Sequence, residues 1–194
     1  GVVPGADPRD RLRRSPQVRL ERPRGSASLS YRACMAVLLR KLLRIGRLPS
    51  ELRAEVEAEG ILFIAEYVAV TRRFRGAVPG LRSSGSIASY VGALVLTNER
   101  VLGTLSSVPK LAGRTIDLRW DAPQSGPVKA EISATGLTLD VDVAAVDPRC
   151  SGELSLHYKE DIPADVLDRL PRRSLAFDVP AEFIFRAVGV PYHP

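Results

Sequence analysis

Between Tyr67 and Asn98 the chain carries four arginines, Arg72, Arg73, Arg75 and Arg82, and no acidic residue. Ser83, Ser84 and Ser86 fall in the same stretch, inside the Gly/Pro/Ser-rich segment "GAVPGLRSSGS" at 76–86. Guanidinium forks, hydroxyls and loop amides together could hold a phosphate or another anion. Arg72, Arg73, Arg75, Arg82 and Ser84 are therefore the candidate ligand-binding residues. The competing reading is a solvated loop with no ligand. Its glycines lack the spacing and the Lys of a phosphate-binding P-loop.

No other constellation reads as an active site, and no cofactor is expected. His157 stands between Leu156 and Tyr158 in a strand-like run, and His193 is the penultimate residue of the sequence. Nucleophilic catalysis needs a base beside a Ser or Cys and a carboxylate to orient it. Cys150 and His157, seven residues apart across a turn, match no such signature. Cys34 and Cys150 are the only cysteines, which is no disulfide framework, and no Cys/His spacing suggests zinc. Asp140 and Asp142 alternate onto one strand face, but Ca²⁺ needs more oxygen ligands than two carboxylates supply. The expectation is a non-enzymatic protein.

The net charge of +6 is concentrated near the start of the chain. Residues 1–34 hold eight Arg against Asp7, Asp10 and Glu21; residues 35–47 add Arg40, Lys41, Arg44 and Arg47 with no acid, which leaves 48–194 at −3. A nucleic-acid binder should carry its basic stripe on the folded part, so the folded domain is not expected to bind nucleic acid. Residues 1–30 alternate Pro, Arg, Asp, Gly and Ser without an apolar period, as a disordered tail does. Met35 is the single methionine and directly precedes the first periodic segment, which suggests it as the natural start. The intact mass of the natively expressed protein tests that.

"MAVLLRKLLRIGR" (35–47) is a basic amphipathic helix by its period. Arg40, Lys41, Arg44 and Arg47 share one side, and Leu38, Leu39, Leu42, Leu43 and Ile45 take the other. Two readings stay open: a helix docked on the domain with its basic face in water, or an interfacial helix on anionic lipid, with those four cations as membrane contacts. No apolar run approaches the ~18–20 residues of a transmembrane helix. "LPSELRAEVEAEG" (48–60) has the punctuation of a second helix, with Ser50 as N-cap, Leu52 and Val56 as the inward stripe and Gly60 as the stop.

After Gly60 the period changes to two. Seven strands are expected, over 61–75, 90–97, 100–106, 114–120, 128–133, 137–144 and 153–159. A helix capped by Asp161 follows over 162–170, and a short Pro-opened helix over 181–188. Seven short antiparallel strands with a helix need a curled sheet or barrel. Thr97-Asn98-Glu99 reads as a turn between two of the strands, with the Arg100 head at the sheet edge and its stem packed.

"GALVLTNERVLG" (92–103), with the helix-to-strand entry "ELRAEVEAEGILF", resembles bacterial pleckstrin-homology-like and GRAM-like domains over roughly residues 60–170. The only Trp is Trp120, at the end of a strand, where eukaryotic members carry one in the C-terminal helix. The resemblance implies a mainly β, partly open, seven-stranded antiparallel barrel with a C-terminal helix, an N-terminal helical extension (35–59) and a C-terminal extension (171–194). It implies a binding module with no catalytic residues to carry over. In such domains the first strand and the loop after it receive phosphoinositide headgroups, although the Lys-x-Arg arrangement of those binders is absent here. The expected partners are an anionic membrane surface or a protein; the alternative is an apolar ligand carried in the barrel. The expected setting is cytoplasmic, on the inner face of the membrane if the basic helix binds lipid.

Overall fold

The computed structural model describes Gly1 and residues 46–106 and 112–194. Apart from Gly1, these belong to the second of two units, 37–194. The expected tail and most of the expected basic helix, including Arg40, Lys41 and Arg44, lie outside the described residues; Arg47 is described, is exposed and belongs to no helix.

The chain runs α1 (Ser50–Ala58), β1 (Ile61–Val78), β2 (Leu81–Thr97), β3 (Arg100–Ser106), β4 (Ala112–Arg119), β5 (Val128–Ser133), β6 (Gly136–Asp142), α2 (Val143–Val146), β7 (Ser151–Lys159), α3 (Ala164–Arg169), β8 (Ser174–Phe177) and α4 (Ala181–Val188). All strand pairs are antiparallel, in the order β4-β3-β2-β1-β7-β6-β5-β8, and the sheet is nearly closed into a barrel. The mainly β barrel is as the sequence indicates, with eight strands rather than seven. The additional strand, β8, pairs with β5 and turns Leu175 and Phe177 inward. Within residues 171–194, Ser174–Phe177 thus joins the sheet and Ala181–Val188 packs against its core.

β1 and β2 form one long hairpin, and the loop expected over 76–86 is its tip. Val78 pairs with Leu81 across Pro79-Gly80. Proline presets φ at the first turn position, and Gly80, at φ +86°, supplies the left-handed backbone at the second. Phe74 then pairs with Ser86 and Gly76 with Ser83, so Ser84 and Gly85 together oppose Arg75 in a β-bulge. A second bulge, at Tyr67 (φ 63°), marks where β1 changes company. Its N–H donates to the Gly46 carbonyl at 2.9 Å, and from Ala69 onward β1 pairs with β7 as well as β2.

Two apolar layers result. Inside the barrel, Val68, Val70, Phe74, Leu94, Leu96, Leu154, Leu156 and Tyr158 pack with Phe183, Ile184 and Phe185 of α4, the helix that plugs the interior. Outside it, Leu52 and Val56 of α1 cover Ala93, Val95 and Leu102 on the far side of β2 and β3. That is why residues 91–97 are buried without alternation: strands covered on both faces read as continuous apolar runs. Neither Ser50 nor Asp161 caps its helix. The N-cap positions fall on Pro49 and Pro163, which have no side-chain donor or acceptor to offer.

Candidate functional site

The five candidate ligand residues do not converge. Because β1 stays a strand through Val78, its side chains alternate, and Arg72 points to the opposite face from Arg73 and Arg75. Arg72 is buried in the barrel, donating from Nη1 to the Ala187 carbonyl and from Nη2 to Ser86 Oγ, both at 3.3 Å. It thereby sits against the C-terminal carbonyls of α4, where a cation is favoured. Its Nε has no hydrogen-bond partner among the described residues. Arg82 is exposed near the hairpin tip, and Ser84 is exposed in the bulge opposite Arg75. The single anion cradle expected from these residues is therefore corrected: strand alternation removes Arg72 from it.

Arg73 and Arg75 instead line an open groove of about 1040 Å³ on the outer face of β1, β7, β6 and β5. Lys129, Asp140, Asp142, Glu153 and Ile87 line it with them. The cross-strand register sets these neighbours: Arg75 faces Glu153, Arg73 faces Ser155, and Asp140 stands between Ser155 and Lys129. Three cations meet three carboxylates, so the groove is mixed in charge. Asp142 is partly engaged elsewhere, because its Oδ1 accepts the Ala144 and Ala145 amides at the start of α2. Ile87, at the rim, is 68% exposed, the most exposed large apolar side chain among the described residues. Sequence reasoning missed Lys129, Glu153 and Ile87. The alternation in "VKAEIS" and "ELSLHYK" marks Lys129 and Glu153 as outward, but only the strand order brings them beside Arg73 and Arg75.

The turn after β2 has a structural task. Thr97 Oγ1 accepts the amides of Glu99 (3.1 Å) and Arg100 (2.9 Å), and the Trp120 indole donates to the Thr97 carbonyl at 2.9 Å. Arg100 reaches Glu55 at 3.0 Å, Glu59 at 2.8 Å and Asp117 at 2.8 Å, which ties α1 to β3 and β4. Burial alone would lower the Arg100 pKa; the hydrogen bonds and charge of Glu55, Asp117 and Glu59 outweigh it and hold the guanidinium above its ordinary range. Arg100 is a clamp for the helix, as the packed-stem reading of the turn expects, and is not free for a ligand.

Cys150 and His157 are separated by the wall of the barrel. Cys150 is in the core, and burial pushes its thiol pKa up, as does the charge of Asp147, away from the reactive thiolate. His157 lies on the outer face between Thr71 and Thr138, its Nε2 3.3 Å from the Thr135 carbonyl. Tyr158, the next residue, is fully buried; its hydroxyl donates to the Thr104 carbonyl (3.1 Å) and contacts Thr115 Oγ1, while burial pushes its pKa well up. Among the described residues no three His, Cys, Asp or Glu side chains gather where a metal could bind. No protein-family model matches the chain, and neither does a characterised protein or a solved structure.

Proposed function

We propose that this chain is a non-enzymatic binding module of the pleckstrin-homology-like kind, and that it docks a protein partner on the outer face of β1, β7, β6 and β5. One observation carries the reading. This face holds an open groove with charges of both signs and an exposed Ile87 at its rim, while α1 covers the outer side of β2 and β3. Mixed charges around an apolar anchor suit a protein surface, where complementary pairs set register and exclude wrong partners. An anionic membrane would favour a face of one sign. The strand order supports the family reading, with two meanders, β1–β4 and β5–β7, joined through the long β1. Against an interior apolar ligand stands the packing: Phe74, Leu156, Tyr158, Phe183 and Phe185 fill the space such a ligand would need.

The test replaces Ile87 with a photoreactive amino acid in the producing cells, with Glu57 on α1 as a control position. A discrete crosslinked protein from position 87 and not from 57, whose purified form then loses affinity for the Ile87→Asp chain, is expected. Salt-sensitive pelleting with anionic vesicles, together with no crosslinked protein, would overturn the protein reading in favour of a membrane one. No described helix is long and apolar enough to cross a membrane.

A further inference from the structure

We propose that a second, smaller hollow on this same outer face binds a tetrahedral oxyanion of the phosphate class. The hollow, about 190 Å³, is formed by Thr71 and Arg73 of β1, Thr138 of β6, and Ser155, His157 and Lys159 of β7. Register makes it one cluster. Thr71, His157 and Thr138 lie side by side on three adjacent strands, so the two hydroxyls flank the imidazole at about 5 Å. Ser155 and Lys159 stand two residues to either side of His157, each about 7 Å along β7, and Arg73 pairs with Ser155.

The lining is rich in donors and has no carboxylate. Arg73 and Lys159 form no ion pair among the described residues, although Arg53, Arg100, Arg114, Arg119, Arg149 and Arg173 all do. The hydroxyls of Thr71, Thr138 and Ser155 make no internal hydrogen bond there, whereas those of Thr97, Thr104 and Thr115 are all engaged. Two carboxylates flank the lining by register, Asp140 opposite Ser155 and Glu131 opposite Thr138; Asp140 lines the larger groove, and neither lines this hollow. Two fixed positive charges, three free hydroxyls and an imidazole are what a phosphate needs: charge compensation plus several donors to its oxygens. At about 30 Å³ per water the space holds about six waters. One oxyanion with part of its hydration fits.

Inorganic phosphate and O-phosphoserine serve as probes, titrated separately into the ¹⁵N-labelled chain at constant ionic strength and followed by amide shifts. Saturable shifts centred on Thr71, Thr138, Ser155 and His157 are expected, with an apparent Kd weakened about tenfold in each of the R73Q and K159Q variants. Tighter binding of phosphoserine identifies a phosphate monoester as the natural form, and tighter binding of inorganic phosphate identifies the free ion; either supports the site. Equal shifts with chloride, no saturation, or shifts unchanged in an R73Q/K159Q chain would overturn it. Failure of the crosslinking experiment at position 87 leaves this site standing, because it needs no docked protein.

Discussion

The two outer faces of this one sheet differ in what they do with their polar groups. Over β2 and β3, α1 seals the surface, and the polar residues at its edge are bound to one another: Arg100 to three carboxylates, Arg53 to Glu66, Thr97 to the Glu99 and Arg100 amides. Over β7, β6 and β5 no described helix covers the outer face, and Arg73, Lys159, Thr71, Thr138 and Ser155 have no internal partner among the described residues. Surface ion pairs contribute little each, but a partly buried hub that joins a helix to two strands fixes geometry. Groups with no internal partner fix nothing in the fold, and they are the ones free to meet something outside it. The comparison therefore separates residues whose loss should unfold the chain from residues whose loss should silence it.

The sharpest way to break this contrast is Val56→Asp. Val56 is fully buried between α1 and the sheet, and an unpaired carboxylate there should remove about 4 kcal/mol or more of stability in urea denaturation. A loss under about 1 kcal/mol would mean that α1 is an accessory and that the sealed face does not depend on it. Next comes Arg100→Met. It leaves Glu59 without its cation and Glu55 and Asp117 with Arg114 alone, and about 2 kcal/mol should be lost, less than for a fully buried pair because Glu55 and Arg114 are half exposed.

Arg72 is the counterpart inside the barrel: a buried arginine that has, among the described residues, no carboxylate partner, two long hydrogen bonds and an unpartnered Nε. Arg72→Met keeps much of the volume and removes the desolvation penalty, so stability should change by no more than about 1 kcal/mol in either direction. A loss as large as that of Arg100→Met would show that the Ala187 carbonyl and Ser86 hold Arg72 far better than their 3.3 Å distances imply.

Arg72 also shows what could be read from the sequence. The row Val68, Val70, Arg72, Phe74 is a strand face with one arginine in it, and alternation alone separates Arg72 from Arg73. The row lies inside the strand expected over 61–75, but nearness in sequence, rather than face, groups its arginine with the serines of 76–86, and the Gly, Pro and Ser of 76–86 point to a loop there. What keeps that segment extended is non-local: Arg75, Gly76 and Ala77 pair with Glu153, Gly152 and Ser151 of β7. Leu52 and Val56 were legible as the inward stripe of α1, the strands 100–106 and 128–133 to the residue, and the end but not the start of β2, because their periods are local properties. β8 was not: four residues, "SLAF", carry too little period to stand out, and only the free edge of β5 makes them a strand. The candidate sites lay further out of reach, since Arg73, Lys129, Asp140 and Ser155 become neighbours only through the strand order.

The smallest predicted effect tests whether the open face carries strain of its own. Glu160 follows β7 and lines a shallow recess with His157 and Asp161. Burial pushes its carboxyl pKa up, and the charge of Asp161 pushes the same way. For an acid raised in the folded state the native chain binds the proton more tightly, so stability falls as pH rises from the unfolded value, about 4.3, through the higher folded one. The penalty is complete above the folded value and absent below about pH 4. Glu160→Gln removes the charge, so Tm should rise by about 1 °C at pH 7, and the difference from wild type should vanish at pH 4. Equal melting temperatures at both pH values would mean that water reaches Glu160 freely. A lower Tm for Glu160→Gln at pH 7 would mean that the ionised carboxylate is held by Lys159 beside it, and Lys159 would then be engaged within the fold rather than free for an oxyanion.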